Sequence, residues 1–152
     1  MDFIKIKDIF SSPDIDKTVT IGGWVRAFRA KKFIELNDGS TIKNIQCVIS
    51  DSSVDEKIIK KISIGCSLKI KGDITKSIGK GQSFEIQILN IELLGLSDPE
   101  KYPIQAKKHS LEFLREQAHL RIRTSTFSSI MRIRSKLAFG IHEFLIKMAF
   151  TI

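Results

Sequence analysis

The feature that most constrains the fold of this chain is a hydrophobic period that changes from two to four and back to two. Apolar and polar residues alternate in three segments between residues 17 and 50, as is typical of strands with one buried face. Val54, Ile58 and Ile62 then recur at every fourth position, a spacing typical of a helix. Two further alternating segments follow within residues 67–94. The pattern therefore predicts three strands, a short helix and two more strands.

Turn and cap residues mark the ends of these segments. The turn sequences are "NDGS" at residues 37–40 and "GKGQ" at residues 79–82. Ser53 and Glu56 form a capping-box pattern at the start of the predicted helix, and Gly65 suits its exit. The positions predicted to point inward are Val19, Ile21, Val25, Ile34, Leu36, Ile45, Cys47, Ile49, Leu68, Ile70, Ile74, Phe84, Ile86 and Ile88.

The order of three strands, a helix and two strands suits a five-stranded OB-fold Greek-key barrel, in which a helix joins strands three and four. We expect this mainly β barrel to occupy residues 1–94. Residues 95–110 hold two of the three prolines and show no periodicity, so they are interpreted as a linker. Residues 111–152 then form a separate, helical region.

A long amphipathic helix is predicted in that last region, from about Ser125 to Ala149. Its apolar residues recur at alternating spacings of three and four, which forms a continuous seam. A face this apolar requires a partner surface. The seam residues are Phe127, Ile130, Arg134, Leu137, Ile141, Phe144 and Met148.

The net charge and the hydrophobic pattern limit which partners and which cellular compartment are expected. A formal net charge of +8 favours a polyanionic partner, either nucleic acid or an acidic membrane surface. The N-terminus is interrupted by charges every two or three residues, unlike a signal peptide, and no apolar run approaches membrane-spanning length. We therefore expect a cytoplasmic protein without a membrane partner.

Catalytic and metal-binding patterns are not found in the sequence. Cys47 and Cys66 lack a CxxC spacing and a neighbouring His, so they are interpreted as buried reduced thiols. His109, His119 and His142 are scattered, with no Ser–His–acid or metal-ligand spacing around them. The sequence therefore predicts no catalytic residue and no metal ligand in this chain.

An aromatic side chain is predicted on the outer face of the barrel. Alternation assigns Phe33 to the face opposite the core, where it is either a stacking platform for an unpaired base or a contact for the N-terminal segment. Gln46, on the polar face of the next strand, offers an amide to a base edge. Arg26 and Arg29 end the first strand on the same surface and suit phosphates. Together they predict a single-strand nucleic-acid surface.

Two stretches of the first half resemble a known family. The sequence "GGWVRAFRAKKFIELNDGS", followed by "IQCVI", resembles the anticodon-binding domain of class IIb aminoacyl-tRNA synthetases. Within that class, "GKGQSFEIQ" and "YPIQAKKHSLEFLREQAHLRIRTSTF" are similar to asparaginyl-tRNA synthetases. The resemblance covers nearly the whole chain and corresponds to the N-terminal portion of that family. Its full-length members attach asparagine to its tRNA with ATP and Mg²⁺.

The resemblance implies roles for the outer-face residues. It implies that Phe33 stacks on the central anticodon uridine, that Gln46 reads the edge of that base, and that Arg29 contacts the anticodon loop. Gln82 and Glu85 match family positions near the same surface. The implied partner is the anticodon loop of the asparagine tRNA.

The second half matches the truncated start of a class II catalytic domain. Arg115, Arg121 and Arg123 are expected either at a tRNA or domain junction or in an internal salt-bridge network. The helix after Ser125 matches motif one, which implies a homodimer interface along its seam. Motifs two and three would lie downstream of Ile152. We therefore expect no ATP or Mg²⁺ binding and no ligase activity from this chain alone.

Three alternatives remain open at the level of the sequence. The chain is also compatible with a free-standing tRNA or single-strand binding module derived from a synthetase. The related aspartyl-tRNA synthetases share the strand motifs but carry a different arginine-rich segment after the linker. A paralogue that makes a free amino acid has little use for an anticodon-binding domain, so this domain argues against it.

Overall fold

The structure is a computed structural model that divides into two units, Met1–Ala106 and Lys107–Ile152. The first contains a five-stranded sheet with two short helices, and the second is helical. The residues that the structure describes are 3–50, 54–77, 79 and 81–149.

The elements of the first unit follow the predicted order, with one helix added in front. The strands close into a barrel in the order β1-β2-β3-β5-β4, and all neighbours are antiparallel except β3 and β5. The predicted five-stranded OB-fold barrel is therefore confirmed. The elements are α1 (Ile6–Ser11), β1 (Thr18–Arg29), β2 (Phe33–Asn37), β3 (Ile45–Ile49), α2 (Glu56–Ile59), β4 (Ser67–Lys76) and β5 (Phe84–Gly95).

The core of the barrel is built from the inward positions of the five strands. Every position that alternation assigned to the core is buried, and the exposed fraction of each side chain is 7% or less. Removing a side chain of this size from water stabilises a fold by roughly 1.5–3 kcal/mol. The prediction of the strand faces is therefore confirmed for the interior. The N-terminal helix α1, which the sequence pattern did not predict, adds Ile6 and Ile9 to this core.

A bulge in β5 changes the face of its second half. Gly72 pairs with Ile88 and Lys71 pairs with Asn90, so Leu89 is the extra residue. Leu89 is consequently exposed, and alternation resumes with Ile91 inward. Gly72 is required at this point because a Cβ there would collide with the backbone carbonyl oxygen of Gln87.

The helix between β3 and β4 is shorter than predicted. It covers Glu56–Ile59, and its cap is Asp55, whose side chain accepts a hydrogen bond from the Lys57 N–H. The predicted cap residue Ser53 lies outside the described residues, and Asp55 occupies the cap position instead. The prediction that Gly65 forms the helix exit is wrong, because α2 ends at Ile59 and its C-cap is Lys60, well before Gly65. It has a φ of 91°, and an added Cβ would meet Tyr102.

The second unit contains α3 (Leu111–Glu116), a single 3₁₀ turn (Arg121–Arg123) and α4 (Ser125–Lys147). The predicted long helix is confirmed, and Thr124 caps it by accepting from the Phe127 N–H. None of the described α4 residues is buried. Within the described chain, no helix has both the length and the apolar character that a membrane crossing requires.

Candidate nucleic-acid interface

The outer face of β2, β3 and β5 carries three of the six predicted anticodon-binding residues, Phe33, Gln46 and Glu85. Because alternate residues of these strands fill the core, the residues between them point away from it. Glu35 pairs with Gln46 across β2 and β3, and Val48 has Phe33 and Gln87 as its neighbours. We call this surface the polar sheet face, and its residues are Phe33, Glu35, Gln46, Val48, Glu85 and Gln87.

Phe33 lies on this face and not in the core. It is half-buried and belongs neither to the core cluster nor to the described apolar residues packed against that cluster. Phe28, in contrast, packs on the core, as do Ile4 and Phe10 of the N-terminal segment. Phe33 therefore presents an aromatic ring on a sheet surface, the geometry that a base-stacking platform requires.

Arg29 is the cross-strand neighbour of Phe33 and is held by a carboxylate. Its Nη2 donates to Glu35 Oε1 at 2.6 Å. Asn44 Nδ2 donates to the other oxygen of Glu35 at 3.0 Å. The side chain of Arg29 remains 61% exposed, so Glu35 holds the guanidinium while most of the side chain stays accessible to solvent.

The hairpin turn before Phe33 brings further basic residues to the end of the face. Ala30 and Lys31 have φ values of 50° and 52°, and Lys32 N–H donates to the Arg29 carbonyl oxygen at 3.0 Å. This left-handed backbone costs non-glycine residues about 1–2 kcal/mol each. The turn therefore places Lys31 and Lys32 directly after Arg29, at the end of β1.

Glu85 is the centre of a hydrogen-bond cluster on the polar sheet face. It is only 8% exposed and is the one buried charged residue among those described. Gln46 Nε2 and Ser77 Oγ each donate to Glu85 Oε2 at 3.0 Å, and Gln87 Nε2 donates to Oε1 at 3.1 Å. The carboxylate is thus satisfied by three neutral donors from β3, β5 and the end of β4.

Two buried polar atoms in this part of the barrel's sequence, residues 75–85, lack a hydrogen-bond partner among the described residues. They are Thr75 Oγ1, from the residue paired with Glu85, and Gln82 Nε2. Arg26 is half-buried at a bulge between Val25 and Ala27 and makes a contact of its own. The fold thus brings Arg29, Phe33, Gln46 and Glu85 onto one surface.

Sequence reasoning missed part of this surface. Ser77 and Gln87 were not proposed as site residues, although both donate to Glu85. The outward position of Gln87 follows from the same alternation that places Ile86 and Ile88 inward. Ser77 follows the last residue of β4, and no sequence pattern marked it as a site residue.

The three arginines predicted at a tRNA or domain junction, Arg115, Arg121 and Arg123, all lie in the second unit and differ in their contacts. The guanidinium of Arg121 lies 4.8 Å from the centre of the Phe127 ring, which is a cation–π contact within this unit. Arg115 lies in the last turn of α3. Arg123 is half-buried and has an interaction partner. Their predicted tRNA or junction role stays a prediction, as does the dimer seam on α4.

The two thiols and the acidic residues show no metal-binding geometry. Cys47 is completely buried, and burial raises the pKa of its thiol far above the ordinary value. Burial also raises the pKa of the Cys66 thiol. Among the described residues, no group of three or more His, Cys, Asp or Glu side chains could hold a metal ion.

A family comparison agrees with this fold and surface. Residues 19–94, half of the chain, match the tRNA anticodon family model described as an OB-fold nucleic acid binding domain. The chain belongs to this family of OB-fold nucleic acid binding domains.

More specific relatives are asparagine–tRNA ligases. The chain is 46% identical to the Asparagine–tRNA ligase of Borreliella burgdorferi, over 97% of this chain and 33% of that protein. It is 49% identical to the Asparagine–tRNA ligase of Parabacteroides distasonis, over 92% of this chain and 31% of that protein. The resemblance to asparaginyl-tRNA synthetases is therefore confirmed. The chain spans about a third of the length of these relatives.

A solved structure supports the fold independently. The crystal structure of asparaginyl-tRNA synthetase from Pyrococcus horikoshii, complexed with asparaginyl-adenylate, superposes with a TM-score of 0.81. The match covers 97% of this chain and 35% of that chain at 24% sequence identity. At this sequence identity the similarity establishes the fold but not the roles of individual residues.

Proposed function

We propose that this chain is the tRNA-recognition part of an asparagine–tRNA ligase, and that the polar sheet face binds the anticodon loop. The observation that carries the proposal is the position of Phe33. Its ring lies outside the core, with Arg29 as its neighbour on β1 and Gln46 on the next strand. An aromatic ring, a cation and an amide on one OB-fold face are the groups that recognise an unpaired base and its phosphate.

Each of these residues has a separate task in the proposed complex. Phe33 stacks on the central anticodon base, which contributes about 1–3 kcal/mol whatever the base. Gln46 forms hydrogen bonds with the edge of that base and supplies the selectivity. Arg29, with Lys31 and Lys32 in the adjacent turn, neutralises phosphates of the loop. Glu85 belongs to the same surface, and Gln82 borders it in the proposed complex.

The remaining parts of the proposal concern the whole enzyme. The proposed boundaries are 1–94 for the anticodon-binding barrel, 95–110 for the linker and 111–152 for the start of the catalytic domain. The exposed seam of α4 joins two copies in the homodimer. ATP and Mg²⁺ serve the ligation reaction at motifs two and three of the full-length enzyme, as the resemblance implies. The proposed compartment is the cytoplasm.

A fluorescence titration of a labelled anticodon stem-loop tests the proposal. The RNA carries the asparagine anticodon, and the titration is repeated between about 50 and 200 mM salt. We expect the logarithm of the affinity to fall linearly with the logarithm of the salt concentration, by about 0.7–0.9 for each phosphate contacted.

A stem-loop without its central anticodon base is the matched control, because it keeps every phosphate. It should bind more weakly by the contribution of one stacked base, with the same salt dependence. Equal affinity at low and high salt, or equal affinity for the two RNAs, would argue against the proposal.

A further inference from the structure

The orientation of the Gln46 side-chain amide is fixed by its neighbour. Gln46 Nε2 lies 3.0 Å from Glu85 Oε2. An ionised carboxylate only accepts hydrogen bonds, so the group facing it must be the NH₂ of the amide and not its oxygen. Turning the amide over would place two oxygen atoms about 3 Å apart without a proton between them, which is repulsive.

Glu85 itself is held rigidly enough to impose this orientation. The residue is 8% exposed, and its carboxylate receives two further hydrogen bonds, from Ser77 and Gln87. These donors come from the end of β4 and from β5, so the carboxylate is tied to both strands. The clamp, which we define as the Gln46–Glu85 hydrogen bond, is therefore part of the folded barrel before any ligand arrives.

The clamp leaves Gln46 Oε1 as the free end of the amide. Within the described residues, no hydrogen bond to this oxygen is formed. Gln46 is half-buried on the polar sheet face, so the oxygen is presented as a fixed acceptor.

A fixed acceptor distinguishes the two pyrimidines. Uridine carries a hydrogen on N3 and so offers a donor at the middle of its pairing edge. Cytidine has an unprotonated N3 and so offers an acceptor there. An acceptor held opposite N3 bonds uridine and repels cytidine, whereas an amide that turns freely can satisfy either base.

We infer that Glu85 is a positioning residue: by clamping Gln46 with its oxygen outward, it makes the barrel select uridine over cytidine at the base that Gln46 reads. This inference rests on the proposed binding of the anticodon loop to the polar sheet face. Glu85 acts through Gln46 and needs no contact with the RNA. The role explains why a buried carboxylate, which accepts from three neutral donors, lies on a surface that binds a polyanion.

Glu85→Gln is the most direct test. It preserves the shape of the side chain but replaces a carboxylate, which only accepts hydrogen bonds, by an amide, which also donates them. A glutamine at this position can donate to Gln46 Oε1, so the Gln46 amide is free to turn. We expect the wild-type chain to prefer a stem-loop with central uridine over one with central cytidine by about tenfold. Glu85→Gln should reduce this preference to about twofold or less, with most of the stacking affinity retained.

Glu35→Gln is the matched control. It makes the same change of charge on the same face, but Glu35 holds Arg29 and not Gln46. We expect this variant to change the affinity for both stem-loops equally and to leave the uridine preference in place. A loss of preference in both variants would assign the effect to charge and overturn the clamp.

The outcomes separate this inference from the proposed function. If no stem-loop binds, the proposed function fails. If the wild-type chain prefers uridine and Glu85→Gln keeps that preference, only the inference fails. A wild-type chain that binds both RNAs equally also overturns the inference.

NMR of the wild-type chain keeps the clamp testable even if Glu85→Gln does not fold or no RNA binds. The clamp predicts that one side-chain NH proton of Gln46 exchanges slowly with solvent. Two rapidly exchanging protons on Gln46 would contradict it.

Discussion

Replacing Phe33 by alanine should separate binding from folding, and its sequence neighbour Ile34 provides the contrast. Phe33 is half-buried on the polar sheet face, whereas Ile34 is completely buried in the core. Loss of a base–aromatic stack costs about 1–3 kcal/mol of binding. Loss of an outward side chain from a strand costs about 1 kcal/mol of stability or less. Ile34→Ala leaves a cavity and should cost about 2–5 kcal/mol of stability.

The two variants are compared by stem-loop titration and by urea denaturation of the same preparations. Phe33→Ala should bind about 5- to 150-fold more weakly, which is the same 1–3 kcal/mol, and should unfold near the wild-type midpoint. Ile34→Ala should unfold at much lower urea and, while folded, should bind with nearly wild-type affinity. If Phe33→Ala unfolds the barrel and leaves residual binding intact, Phe33 is a core residue and the assignment of the strand faces is wrong.

Three further predictions follow from the contacts and burial described above. Arg29→Ala should weaken binding of uridine and cytidine stem-loops alike and reduce the slope of log affinity against log salt by about one; a change in base preference would contradict this. Cys47 should resist iodoacetamide in the folded chain because its thiol is buried. Because burial raises the pKa of this thiol, the free energy of unfolding should fall as the pH rises above 9.0, the ordinary thiol value. In Cys47→Ala, the free energy of unfolding should fall less steeply with pH. Leu137, 62% exposed on α4, should mediate self-association, so sedimentation should show Leu137→Glu less associated than the wild-type chain; equal sedimentation would count against the seam.

The barrel was predictable because its core follows a simple period. Alternation identified inward residues in all five strands, although it missed Ile91 beyond the bulge in β5, and a spacing of four identified the helix between β3 and β4. The bulge at Leu89 was not predictable, because its cause is a long-range approach of backbones. Gly72 on β4 lies against the Gln87 carbonyl, and only the folded sheet brings these residues together.

The candidate site was predictable as a set of residues and not as a network. Alternation placed Phe33 and Gln46 on the outer face, and the family resemblance added Glu85. The hydrogen bond between Gln46 and Glu85 joins residues 39 positions apart on β3 and β5, a parallel pair created by the crossover. No local sequence pattern predicts a contact between residues so far apart in the chain, so the clamp is seen only in the folded barrel.

Chemical-shift mapping by NMR tests the central claim that the polar sheet face is the RNA-binding surface. The labelled chain is titrated with the asparagine anticodon stem-loop, and the amide signals of β2, β3 and β5 are compared with those of β4. We predict that the largest shifts belong to Phe33, Gln46 and Glu85, and that the outward residues Lys69 and Lys71 of β4 move little. Shifts concentrated at Lys69 and Lys71, with Phe33 and Gln46 unchanged, would contradict the account.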